Sequence, residues 1–157
     1  MENIVKTVGM FFVYGDGNWR HNYAHRPELF WPVALFFAIG IAHGLYKLFK
    51  KKQYFTAEIF SLLWLVIAGL PVVLSSEGIP HALRAILMIP AVFILSAIGA
   101  VWIYDAIKKH SRLSPRILGL YAGTLLFLLM VESFSTYTSW AFDPRTADAF
   151  SVNQTAI

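Results

Sequence analysis

The chain has 157 residues, 57% hydrophobic and 14% charged, where a soluble domain carries about 25% charged residues. That composition excludes a disordered chain, and the absence of cysteine excludes thiol catalysis, thiolate metal sites and a disulfide scaffold. The net charge of +4 is gathered into short clusters between apolar runs, the pattern of a membrane topology signal and not of a nucleic-acid surface.

At the N-terminus, Ile4, Val8 and Phe11 fall on one face of a helix over Ile4 to Tyr14, which predicts a short interfacial helix. A polar segment follows, with Asp16, Asn18, Arg20, His21, Asn22, His25 and Arg26. Gly15, Gly17 and Pro27 predict a loop here. His21 and His25 therefore lack the helix on which a His-x-x-x-His spacing makes a metal pair, and no metal and no cofactor are expected.

Four apolar runs then succeed one another. They are Leu29 to Leu48, Phe55 to Leu74, Ala82 to Tyr104, and Ile117 to Val131 with an extension through Glu132 to Phe134. A bilayer core of roughly 30 Å takes about 20 residues of helix, so all four read as membrane spans. The first closes with Lys47, Lys50, Lys51 and Lys52, the third with Lys108, Lys109, Arg112 and Arg116. The positive-inside rule places both links in the cytoplasm, and both termini and the Ser75–Pro80 turn outside. The predicted fold is an all-α integral membrane bundle of four transmembrane helices, with short interfacial helices at the outer face. It forms one module: an outer interfacial segment over 1–28, the four helices over 29–134, and an outer aromatic tail over 135–157. Glu58 is expected to reach the interface or pair with a nearby lysine, and His43 to pack as a neutral side chain. Gly40-x-x-x-Gly44 and Gly119-x-x-x-Gly123 offer close helix contacts.

This topology collects the chemically capable residues on the outer face. His81 and Arg84, three apart after Pro80, suit a phosphate or carboxylate. Equally, Arg84 snorkels to headgroups, or pairs with Glu77 or Glu132. No phosphate-binding loop and no G-x-S-x-G occur, and no span carries the central acid of a proton-coupled exporter.

Two segments resemble a known family. One is Gly15-Asp16-Gly17-Asn18-Trp19-Arg20-His21-Asn22 with Arg26-Pro27; the other is Pro80-His81-Ala82-Leu83-Arg84-Ala85 with Ile89-Pro90-Ala91. Together with Gly69-Leu70-Pro71, Ser75-Ser76-Glu77 and Asp143-Pro144-Arg145, they resemble the later membrane region of bacterial and archaeal relatives of the protein O-mannosyltransferases, glycosyltransferases of the GT-C type. The resemblance runs from about Val8 to Phe150. It implies a sugar carried on a polyprenyl phosphate, with His81 and Arg84 near that phosphate and Asp16, Arg20, His21 and Glu77 lining the same outer cavity. It also implies that the catalytic carboxylates belong to an earlier outer loop, so no catalytic residue is expected in this chain. The expected function is a module, split subunit or fragment, of a polyprenyl-phosphate-sugar glycosyltransferase, inactive alone. The alternative is a non-enzymatic assembly subunit of a larger membrane complex. The expected partners are membrane lipids, a polyprenyl-phosphate sugar and another membrane protein chain, and no nucleic acid.

Overall fold

The computed structural model describes residues 1–75, 78–111 and 113–151. Among these the fold is all-helical: α1 (Glu2–Phe12), α2 (Trp31–Phe49), α3 (Ala57–Val73), a 3-10 helix (Arg84–Met88), α4 (Ile89–His110), α5 (Pro115–Ala141) and α6 (Pro144–Ser151). The expected positions Ser76, Glu77 and Arg112, and the tail after Ser151, lie outside the described residues.

Three of the four expected spans are long and apolar enough to cross a membrane: Trp31–Phe49, the continuous stretch Arg84–His110, and Pro115–Ala141. The other, α3, is equally apolar but has 17 residues, about 26 Å at 1.5 Å per residue. Its start is fixed by Thr56, whose side chain accepts the Ile59 N–H at 3.4 Å. Its end follows Pro71 in the last turn. The third run is not one regular helix from Ala82. Pro90 has no N–H to donate, so the α-helix begins at Ile89 and a 3-10 turn leads into it.

The core is made where α2 crosses α4. A Cβ on Gly40 would collide with the Leu95 carbonyl oxygen, and one on Gly99 with that of Phe36, so the two backbones touch. Gly44, the other member of the first glycine pair, packs against Leu62 and Glu58 of α3. A Cβ on Gly119 or Gly123 would meet open space among the described residues, so the second pair brings no helix close there. Phe37, Val72, Met88 and Leu95 complete the core, closed at one end by Met10 and Phe11 of α1.

The α1 helix packs one flank against the bundle and turns the other outward. Thr7, Met10 and Phe11 are buried while Ile4 and Val8 are half exposed. Asn3 Nδ2 donates to the Val73 carbonyl at 3.0 Å and ties α1 to the end of α3.

Leu29 and Ile89 line one pocket, and His43 and Val101 another, so α2 and α4 run in the same direction. Both leave the end that holds Asp16. At the far end Lys47 reaches Glu58 at 2.6 Å, the lysine pairing expected for that acid, with His43 Nδ1 3.6 Å from the same oxygen. The α5 helix returns to the Asp16 end and continues to Ala141, beyond the expected boundary at Phe134. Nothing breaks it before Asp143-Pro144. Leu118 is its one buried residue.

Candidate functional site

The loop over 13–30 folds back on itself because Gly15 lets it. A Cβ there would overlap the Arg26 carbonyl oxygen. Inside the loop, successive Asx turns set the direction of the chain. Asp16 Oδ1 accepts the Asn18 N–H at 2.9 Å, and Asn18 Oδ1 accepts the Arg20 N–H at 3.0 Å. These turns swing His21 back towards Asp16, and its Nδ1 lies 2.7 Å from Asp16 Oδ2.

The second segment arrives through the cis Ile79–Pro80 peptide. Ala82 donates its N–H to the same Asp16 oxygen at 2.9 Å, and His81 Nδ1 stands 4.0 Å from it. The rings of His21 and His81 stack at 4.6 Å with an interplanar angle of 28°. Asp16 is buried, at 6% exposure, and both imidazoles are mostly covered. Burial, with His21 and Arg84 close by, lowers the His81 pKa below the ordinary histidine value and favours its neutral form.

Behind this trio lies Glu28. It accepts the Asn22 side-chain amide at 2.6 Å and the Asp16 N–H at 3.4 Å. Burial raises its pKa above the ordinary carboxylate value, against the lowering effect of those hydrogen bonds. A cavity of about 350 Å³ opens beside the trio, lined by His21, Asn22, Arg26, Glu28, Glu132 and Trp140 among others.

The expected site residues divide into three groups. Asp16, His21 and His81 meet in one cluster. Arg84 borders it, its N–H 3.4 Å from His81 Nδ1 and its guanidinium donating to the Ser75 hydroxyl. Arg20 is drawn away to the C-terminal helix, where Nε donates to the Ala149 carbonyl at 2.5 Å and the guanidinium lies over the Phe150 ring. Glu77 lies outside the described residues.

Glu132 does not serve Arg84. It pairs with Arg26, which also donates to Thr136 Oγ1 at 2.5 Å. Sequence alone assigns Arg26 no partner, and the geometry makes it one of the links between the loop and α5. His25 stands apart from the cluster, at φ 68°, with Nδ1 hydrogen-bonded to the Tyr14 hydroxyl at 2.5 Å. The loop expected from Gly15, Gly17 and Pro27 keeps His21 and His25 from pairing, and the ring that stacks on His21 is His81, sixty residues away.

Chemically, a carboxylate flanked by two stacked imidazoles can orient a proton or hold a cation. Asp16 is poorly placed as a general base, because backbone N–H groups and His21 already occupy its oxygens. Comparison with known proteins returns no match: no family model, no curated protein and no solved structure is significantly similar to this chain.

Proposed function

We propose that the chain is a four-span membrane module of a polyprenyl-phosphate-sugar glycosyltransferase, with its termini and the Asp16 cluster on the non-cytoplasmic side. The catalytic carboxylates come from outside these 157 residues. One observation carries this reading: the two segments that resemble the O-mannosyltransferase relatives are joined through a single atom, Asp16 Oδ2, which accepts from both His21 and Ala82. Residues 66 positions apart thus form one site beside a cavity at the end of an apolar bundle.

The placement of charge supports the orientation. Lys50, Lys51 and Lys52 follow α2, and Lys108, Lys109 and Arg116 flank the link between α4 and α5, all at the end away from Asp16. The α3 helix is short but lies between two helices of full length, and its flanking Phe55 and Leu74 extend its apolar reach.

A lipid phosphate at this end would meet His81 and Arg84. A charge-assisted hydrogen bond contributes about 1.5–3 kcal/mol. Binding of a labelled polyprenyl phosphate to the chain in lipid nanodiscs should therefore weaken about tenfold or more in Arg84→Ala. The chain alone should transfer no sugar. Turnover by the isolated chain, abolished by Asp16→Asn, would show that the catalytic group had been misplaced.

The second reading, a non-enzymatic assembly subunit, rests on a specific observation. The guanidinium groups of Arg20, Arg26 and Arg84 are each engaged by groups of the protein itself. Unchanged polyprenyl-phosphate binding in a folded Arg84→Ala variant would favour it.

A further inference from the structure

We propose that Asp16, His21 and His81 form a binding site for a divalent transition metal of the zinc class, with one coordination position open. The inference stands on these three side chains and does not depend on the polyprenyl-phosphate reading.

The first argument is distance. Zinc takes nitrogen and oxygen ligands at about 2.0–2.1 Å, which in a tetrahedral site sets the ligand atoms about 3.3 Å apart. Asp16 Oδ2 lies 2.7 Å from His21 Nδ1 and 4.0 Å from His81 Nδ1, values that bracket that spacing. All three ligand atoms fall within 4.8 Å of one another. Small ring rotations, moving each nitrogen by roughly 0.7 Å, bring both to the required separation.

The second argument is the ligand set. Two imidazoles with one carboxylate suit zinc and its neighbours and are unsuited to magnesium or calcium, which prefer oxygen throughout. Both rings must present a lone pair. His81 does so as a neutral imidazole, the form in which histidine ligates metals. Its Nδ1 faces the Arg84 N–H at 3.4 Å, too long to compete strongly. His21 gives up its Nδ1 proton when the ion binds, so zinc replaces that proton between the ring and Asp16 Oδ2.

The third argument is support. A metal carboxylate needs outer partners to hold it, and Asp16 has two: Asn18 N–H on Oδ1 and Ala82 N–H on Oδ2, both at 2.9 Å. These bonds persist when the ion binds, because each carboxylate oxygen has more than one acceptor direction. One ligand comes from the 80–84 turn and two from the loop, so the ion would clasp segments that the bare protein joins with few bonds. Three protein ligands leave a fourth position, on a site whose His21 also lines the cavity. Asn22 lines the same cavity, and its buried Oδ1 has no hydrogen-bond partner among the described residues. A metal-bound water is a donor of the kind it lacks.

The test uses the tag-free full chain in nanodiscs, stripped with a chelator and titrated with zinc alone, and with cobalt as a spectroscopic probe. We expect one zinc per chain by elemental analysis, a zinc-dependent rise in melting temperature, and the visible absorption of four-coordinate cobalt. His21→Ala and His81→Ala should each weaken zinc binding by about 100-fold or more, since even outer-partner losses reach that range. His110→Ala, on the exposed end of α4, should leave it unchanged. If a variant fails to fold, the unmodified chain still decides: a folded chain that binds no zinc overturns the proposal. Zinc binding that survives both His21→Ala and His81→Ala overturns it as well.

Discussion

Arg26 and Glu132 form an ion pair across 106 residues, and this pair ties the polar loop to α5. The relationship matters because α5 buries almost nothing against the rest of the protein. Its registration depends on a few polar contacts near its C-terminal end: Arg26 with Glu132 and Thr136, and Trp140 Nε1 donating to the Trp19 carbonyl at 2.7 Å. Thr136 also donates to Glu132 Oε1 at 2.9 Å, so the acid is held from two sides.

Removing this link should loosen α5 without unfolding the α2–α4 core. Both side chains are partly exposed, which reduces the value of the pair, so Arg26→Ala should cost about 1–2 kcal/mol. Hydrogen exchange of the chain in nanodiscs should show faster exchange over 132–141 in Arg26→Ala, with α2 and α4 unchanged. Uniform exchange in the variant and the parent would show that α5 is placed by something else.

The glycines of the central crossing should tolerate no side chain. Gly40→Ala and Gly99→Ala each put a Cβ into a backbone carbonyl that can move only with its helix. Each should destabilise by about 1–3 kcal/mol, the range for overpacking a fitted core. Gly119→Ala meets open space and should be neutral or stabilising by up to about 1 kcal/mol, from helix propensity. Thermal unfolding of the three variants in one detergent separates the cases, and equal effects at Gly40 and Gly119 would contradict the crossing.

Two groups near the cluster give stability opposite dependences on pH. The His81 pKa is lowered in the fold, so below the unfolded value of 6.5 the unfolded chain binds the proton first. The stability His81 contributes is therefore present above that value and is lost as pH falls through it towards the folded value. Glu28 has its pKa raised above 4.5, so the native state holds that proton more tightly. Its contribution is present at low pH and is lost as pH rises from 4.5 through the folded value. Melting curves against pH should lose the first dependence in His81→Asn and the second in Glu28→Gln. A His81→Asn profile parallel to the parent between about pH 7.5 and 5.5 would refute the assignment.

The proposed orientation can be read directly, because the chain has no native cysteine. A cysteine at Trp19, in the Asp16 loop, should react with a membrane-impermeant maleimide added outside intact cells. A cysteine at Lys51 should stay unlabelled until the membrane is opened. Labelling of the Lys51 position from outside would invert the topology.

The sequence alone determined the helical, strongly apolar character of this protein and the approximate place of α1 and of the four long apolar helices. Runs such as Leu29 to Leu48 are long enough that almost any packing leaves them helical, whereas the start of α4 at Ile89, set by Pro90, lies well inside the run expected from Ala82. Membership of Asp16, His21 and His81 in a polar end was legible too, since a bundle with short links must bring those loops to one side. What only the tertiary structure decided is which of them touch. Local spacing gave His21 no partner, because a loop has no fixed period. Gly15 folding against Arg26 and the Ala82 N–H reaching Asp16 select His81. The same holds for Glu132, whose partner is Arg26 and not Arg84, and for Gly99, which no glycine pair in the sequence marked. Pairing between distant segments depends on where backbones can approach to within a few ångströms, and that distance is set by the whole packing of α2 against α4.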